Sequence, residues 1–317
     1  MLPVFQCQLY KEGKVTGSLC GPLCEAEQVK FSKCTDFHAG KRVDIMTCSD
    51  FCVPGETVAA VLKSSNDNIS AQLSNHPDIL PEGMQSENFV AYTNEMIQKM
   101  LYWELGFQPF SSETNMMEVM WEKRSTKFTR SLREKRAAFR TIMMLMDETE
   151  YKMVKAMESS GIVPHIYGTC GPLYLQESCP PGFLDMPVIS LGSGTPAPAS
   201  WQQKATAVIQ LLRLIKRLEQ DFPEVLHLCD VKGSNFGMCA DGSVKVIDAD
   251  NIFFHTSMME TFNASQCTDH GDCNFFDCGG WCQVNTGRCY RVITNNNLQV
   301  NLCKTSTSLC STPIYMG

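Results

Sequence analysis

The stretch from His227 to Asp250, HLCDVKGSNFGMCADGSVKVIDAD, constrains this chain more than any other. Asp230 is followed by Lys232 and then by Asn235, and Asp248 closes the run Val244–Ile247. Between them Ala240–Asp241–Gly242–Ser243 reads as a tight turn joining two short strands, because Asp and Gly tolerate the backbone angles such a turn demands. The segment therefore sets a carboxylate, a cation and an amide in one loop. A second carboxylate stands at the end of the strand that follows.

Those residue types suit phosphoryl transfer. Asp230 would accept or orient the hydroxyl proton, and Lys232 would stabilise the moving charge. Asn235 and Asp248 would offer hard oxygen ligands to Mg²⁺ or Mn²⁺ bridging the phosphates of ATP. Order and spacing resemble a protein-kinase catalytic loop feeding a metal-binding strand. Two departures stand out. Leu228-Cys229 replaces the usual His-Arg before the aspartate, and Asp248-Ala249-Asp250 replaces Asp-Phe-Gly. The missing Arg argues against control through a phosphorylated activation loop.

The chain has 317 residues and a net charge of -7, a balance that argues against a general nucleic-acid binder. No apolar run approaches the roughly 18 residues of a membrane span, and MLPVFQCQLYKEG is too short and polar for a signal peptide. The 17 cysteines pull the other way. They crowd at the ends, as Cys7, Cys20, Cys24, Cys34, Cys48 and Cys52, then Cys267, Cys273, Cys278, Cys282, Cys289, Cys303 and Cys310. Such density fits disulfides in an oxidising compartment, with zinc as the rival reading. The odd count leaves at least one free thiol or an intermolecular bond, and Cys229, inside the loop, is a candidate for the free one. Asn68 and Asn263 begin N-glycosylation triplets, in keeping with a secretory setting. The expectation is that a targeting segment is missing ahead of this chain.

Taken in order, residues 1–36 read as a disulfide-tied lead-in, residues 37–177 as a kinase-like first lobe with an insertion, and residues 178–317 as a kinase-like second lobe with a cysteine-rich end. Strands are expected over Lys41–Cys48 and Glu56–Lys63. The second ends in Val61-Leu62-Lys63, like the strand that delivers a kinase lysine to the α/β-phosphates. Only Gly40 and Gly55 precede it, so a full glycine-rich phosphate lid is absent. A helix is expected from Asn88 to Phe107, with Glu95 as the carboxylate pairing with Lys63; Glu104 competes and Glu87 is weaker. Residues 110–160 read as an insertion containing a basic stretch, Lys123 to Arg140, and helices over Ala137–Met146 and Tyr151–Met157. That basic stretch reads as a solvated face, or as a contact for an acidic partner or membrane. Two strands are expected around Gly168–Pro172. A helix follows over Trp201–Asp221, with Ala205, Val208, Ile209, Leu212, Ile215 and Leu218 on one face. The fold class is α+β, bilobal and kinase-like. Disulfides are expected to stand in for part of a shortened second lobe. Asp269, Asp272 and Asp277 lack an EF-hand pattern.

Several motifs together resemble one family, the cysteine-rich proteins of the endoplasmic reticulum with a divergent protein-kinase domain, group 1. They are CDVKGSNFG, VKVIDADNIFF, the C-terminal run CTDHGDCNFFDCGGWC with NNNLQVNLC, and QLYKEGKVTGSLCGPLC at the start. The resemblance spans nearly the whole chain. It implies an ER or Golgi lumenal domain on a single-pass type II anchor preceding Met1, which would be the only link to a membrane. It also implies an EF-hand inserted in the first lobe, at Lys123 to Glu134 here. Lys123, Ser125 and Lys127 stand at the first ligand positions, so calcium is not expected. The expected activity is ATP- and metal-dependent phosphorylation of a hydroxyl on an acceptor the sequence does not name. The alternative is a lumenal pseudokinase scaffold without turnover. A weaker third reading makes the cysteine-rich end the partner-binding surface.

Overall fold

A computed structural model describes residues 2–38, 41–64, 80, 86–111, 113–122, 131–181 and 201–300. The chain divides into two compact units. The first comprises Met1–Tyr102 and Phe110–Ser178, and the second Trp103–Pro109 and Cys179–Gly317.

The first unit is built on a five-stranded antiparallel sheet. Its strands are β1 (Val29–His38), β2 (Lys41–Ser49), β3 (Thr57–Ser64), β4 (Ile166–Cys170) and β5 (Leu173–Glu177), in the order β1-β2-β3-β5-β4. Leu19, Val29, Met46, Ala60, Leu62, Leu173 and Leu175 form its buried cluster. Two short helices precede the sheet, α1 (Leu2–Lys11) and α2 (Cys20–Cys24). The Cys7–Cys24 bridge joins them, and Cys20–Cys170 fastens α2 to β4. The lead-in is thus part of this unit, since β1 is itself an outer strand of the sheet.

Between β3 and β4 run four helices: α3 (Ser86–Leu105), α4 (Met116–Met120), α5 (Leu132–Met146) and α6 (Thr149–Met157). Along α3 the buried positions recur every fourth residue: Phe89, Thr93, Ile97, Leu101 and Leu105. That spacing keeps one face inward. A capping box starts α5: the Ser131 side chain accepts from the Glu134 amide, and the Glu134 carboxylate accepts from the Ser131 amide. Ala138, Ile142, Met144 and Leu145 then bury its inner face.

The longest element of the second unit among the described residues is α7 (Trp201–Gln220). Its inward stripe is Ala207, Leu211, Leu214, Ile215 and Leu218, whereas Val208, Ile209 and Leu212 are exposed. Ile215 and Leu218 of the expected apolar face are thus buried, whereas its first half faces outward, because α7 carries apolar residues on both sides. The antiparallel pairs β6 (Leu226–Leu228) with β9 (Ile252–Phe254), and β7 (Phe236–Met238) with β8 (Val244–Val246), follow. Gly242 turns the β7–β8 hairpin at φ +80°, a left-handed angle that glycine accepts without strain.

Next come α8 (His255–Ala264) and the cysteine-rich segment, with the small strands β10 (Cys282–Gln283) and β11 (Arg288–Cys289). Its core is mostly sulfur: Cys229, Cys267, Cys273, Cys278, Cys282 and Cys289 pack with Met258, Met259 and Phe262. The bridges are Cys229–Cys278, Cys267–Cys282 and Cys273–Cys289, with Cys179–Cys239 beside the β7–β8 hairpin. Cys229 is therefore bridged, against the expectation of a free thiol. Cys170, Cys179 and Cys239 also take part although sequence crowding did not single them out. Cys267, Cys273 and Cys289 lie close enough to suggest a metal cluster, but each is spent in a bridge. Cys48–Cys52 closes a short loop. Cys34 is exposed on β1, and Cys303 and Cys310 lie outside the described residues.

The bridges differ in reach, and so in stabilisation. Cys20–Cys170 spans a sequence separation of 150 and Cys48–Cys52 one of 4. Loop-closure entropy makes the longer bridge worth about twice the shorter or more, at roughly 4–5 kcal/mol against about 2. Denaturant unfolding of Cys20→Ser/Cys170→Ser beside Cys48→Ser/Cys52→Ser is expected to show the larger loss in the first pair.

Candidate functional site

The first unit contributes a buried ion cluster. Lys63 lies on β3 between β2 and β5, opposite Val43 and Tyr174, with a relative exposure of 5%. Its ammonium donates to Glu150 Oε1 at 2.6 Å. Lys41, at the start of β2, lies 2.6 Å from Glu150 Oε2, and the Tyr174 hydroxyl donates to the same oxygen at 3.0 Å. Both carboxylate oxygens are thus engaged. Glu150 stands in the first turn of α6, where the helix dipole favours negative charge. Burial by itself would push its carboxyl up; Lys63, and then Lys41, overcome that and hold it at about 2.

This corrects the expected partner. Glu95 pairs with Lys99 on the exposed side of α3, two positions from both Thr93 and Ile97 of the inward stripe. A carboxylate there points away from the core. Helix α6 is also the helix directly before the β4–β5 pair, so residues first read as insertion hold the sheet's lysine in place. Counting back from β4, rather than forward from Lys63, would have found Glu150. Nothing in the sequence marked Lys41.

The second unit contributes the loop after β6. Asp230 Oδ2 accepts from Lys232 Nζ at 2.8 Å and from Asn235 Nδ2 at 3.0 Å. Asn235 Nδ2 also donates to the Asp230 carbonyl at 2.9 Å. Asn235 is buried, and its amide group is committed to Asp230. Its Oδ1 accepts no hydrogen bond among the described residues. The backbone amide of Ile247 donates to the Asn235 carbonyl, which ties the loop to the strand end leading to Asp248. Three of the four polar groups expected here converge, and Asp248 follows half-buried after β8.

The cysteine-rich segment braces this loop. Asp277 Oδ2 accepts from the Val231 amide at 2.7 Å, and the Asp277 amide donates to the Cys229 carbonyl at 2.8 Å. The next residue, Cys278, is bridged to Cys229. Asn295 Nδ2 holds the Asp277 carbonyl at 2.7 Å. Buried Asn297 accepts from the Leu228 amide and donates to the Leu226 carbonyl, completing the edge of β6. Asp277, Asn295 and Asn297 were missed as site-supporting residues. Their signal was present, since DCNFFDC and NNN are polar runs dense in groups that bond to backbone.

Other expected positions have plain structural roles. Asp269 and Asp272 form a capping box on the turn at His270–Cys273. The Glu134 carboxylate caps α5, and most of the proposed calcium loop ahead of it lies outside the described residues. Glu104 lends its carbonyl to the Ser257 hydroxyl. Asn263 is exposed near the end of α8, whereas Asn68 lies outside the described residues, as does Gly40. Buried His227 shares a ring-nitrogen contact with His255 at 3.1 Å. Burial, and then the His255 charge, lower its pKa to about 4.

A five-stranded antiparallel sheet whose third strand carries a lysine paired to a helix glutamate, and a D-x-K-x-x-N loop followed by a hairpin ending in Asp, define a kinase-like α+β protein. A family model described as "Protein-kinase domain of FAM69" matches residues 142–311, and one described as "N-term cysteine-rich ER, FAM69" matches residues 3–119. The chain belongs to the FAM69 family, a divergent kinase-like family with cysteine-rich members of the endoplasmic reticulum. No helix among the described residues is long and apolar enough to cross a membrane.

Two acid transitions follow from the buried groups. Between its ordinary 6.5 and about 4, His227 takes up a proton in the unfolded chain but not in the folded one, so stability falls as pH drops through that window. Glu150 acts likewise between 4.5 and about 2. Its depressed pKa supplies stability above 4.5 that is lost below it, on the order of 3 kcal/mol. Denaturation midpoints measured against pH are expected to lose the upper decline in His227→Asn and to keep the lower one. An unchanged upper decline in the variant contradicts the assignment.

Proposed function

We propose that this protein is a phosphotransferase that uses ATP with Mg²⁺ or Mn²⁺ to phosphorylate an acceptor hydroxyl. The observation that carries the reading is the convergence of Lys232 and Asn235 on Asp230. Asp230 is held by two donors in a loop braced from behind, which suits a group that must orient a hydroxyl and receive its proton. Lys232 brings a positive charge to that carboxylate and would stabilise charge on the transferring group. The open Oδ1 of Asn235 and the carboxylate of Asp248 are the hard oxygen donors that Mg²⁺ or Mn²⁺ prefers, so the donor set fits such a metal. A bound metal would neutralise phosphate charge. Lys63, fixed by Glu150, would take the α/β-phosphates in the manner of a kinase lysine. Calcium has no part in this reading, since Glu134 serves its own helix.

The family's cysteine-rich ER character, and seven bridges among the described residues, support placing the domain in an oxidising lumen. In this reading a type II anchor ahead of the chain holds the domain there, and exposed Asn263 is the glycan acceptor. The second reading is a pseudokinase scaffold, favoured by the Asp248-Ala249-Asp250 triplet in place of Asp-Phe-Gly.

Oxidised, secretory-expressed protein separates the two. ATP with Mg²⁺ or Mn²⁺ at 100-fold over Kd is expected to stabilise the chain by about 2.7 kcal/mol, and Asp248→Ala to abolish the metal-dependent part. Phosphate transfer to acceptor hydroxyls is expected to disappear in Asp230→Ala. Nucleotide binding without any Asp230-dependent transfer supports the scaffold.

A further inference from the structure

The first unit holds a polar cavity of about 590 Å³. Arg133, Arg136 and Arg140 of α5 line one side, and Glu12, Gly13 and Lys14, just after α1, line the other, with Leu132 at the edge. The three arginines sit at i, i+3 and i+7, which aligns them along one helix face. That face belongs to the basic stretch whose purpose the phosphotransfer reading leaves unexplained.

Two of the guanidinium groups are anchored to backbone. Arg133 donates to the Glu12 carbonyl, and Arg140 donates to the Lys14 carbonyl at 2.8 Å. Gly13, at φ +64°, makes room, because a side chain there would run into the Arg133 guanidinium. The one carboxylate in the lining does not neutralise the arginines. Glu12 is taken up by Lys14 at 2.7 Å and Gln8 at 2.9 Å. Arg136 lies between the two anchored arginines, and its Nε is buried with no hydrogen-bond partner among the described residues. A buried donor on a charged group costs free energy until an acceptor reaches it.

We infer that this cavity is a binding site for a phosphate or sulfate group carried on a small polar molecule. Arginine forks match tetrahedral oxyanions by paired N–H donors, and here three guanidinium groups line one space. The volume exceeds what a bare anion fills and falls in the range of ordinary small-molecule sites. Among the described residues the lining has no aromatic residue and a single apolar side chain, Leu132, so it favours a sugar-like ester over a stacked nucleobase.

The test is calorimetric titration of the oxidised chain at constant ionic strength with inorganic phosphate, inorganic sulfate and a hexose phosphate. Saturable binding is expected, weakening at least about tenfold in Arg136→Gln and weakening again as salt is raised. Lys232→Met, at an exposed lysine of the Asp230 loop, is expected to bind these probes as the parent does, which separates this site from the proposed phosphotransfer residues. Tighter binding of the hexose phosphate than of either inorganic anion is expected, and equal binding contradicts the ester and leaves a site for the oxyanion alone. Should Arg136→Gln fold poorly, Lys14→Gln at the exposed rim serves instead and is expected to weaken binding in the same direction. No saturable binding of any probe, or binding unchanged in Arg136→Gln and Lys14→Gln, overturns the inference.

Discussion

The buried carboxylate of Glu150 is the interaction on which the first unit depends. It gathers Lys41 from β2, Lys63 from β3 and Tyr174 from β5, and so fastens α6 to three strands through one group. Taking a carboxylate out of water costs several kcal/mol unless partners restore what water gave. Two ammonium groups and a phenol do so here, and the helix N-terminus adds to them. The lysine is buried as deeply as the glutamate, so neither tolerates losing the other. That mutual need makes Lys63 a fixed point rather than a mobile surface cation.

In the second unit the constraint is covalent and polar rather than ionic. The loop carrying Asp230 has Cys229 bridged on one side of the aspartate and the Val231 amide held by Asp277 on the other. Asn297 completes the preceding strand. A kinase-like loop ordinarily leans on a helical core. Here a segment rich in bridges and asparagines does that work, and its core is largely sulfur packed on Met258 and Phe262. The cysteines of this chain's C-terminal segment therefore have a physical reason: they position the loop.

Much of this was legible in the residues. The β7–β8 hairpin was marked by Asp241-Gly242, and Asp230, Lys232 and Asn235 converge as their spacing suggested. Lys63 was found because a strand pattern ended on it. Its partner was hidden by three helices, α3 to α5, intervening between β3 and α6, so that counting forward reached the wrong helix. On α3 the inward stripe includes polar Thr93, which disguised the face that would have excluded Glu95. On α7 apolar residues on both sides left the phase undecided. Cysteine pairing is a property of three-dimensional proximity, and spacing alone could not reveal that Cys229 reaches Cys278 or that Cys20 reaches Cys170.

The most direct measurement compares the unfolding free energies of Glu150→Gln and Glu95→Gln in otherwise unaltered, oxidised protein. Removing one member of a buried ion cluster is expected to cost about 3–5 kcal/mol, whereas an exposed pair within one helix is worth under about 0.5 kcal/mol. A large loss in Glu150→Gln with almost none in Glu95→Gln is the result the account predicts. Equal small losses, or the larger loss at Glu95, would contradict it and return Lys63 to a different partner.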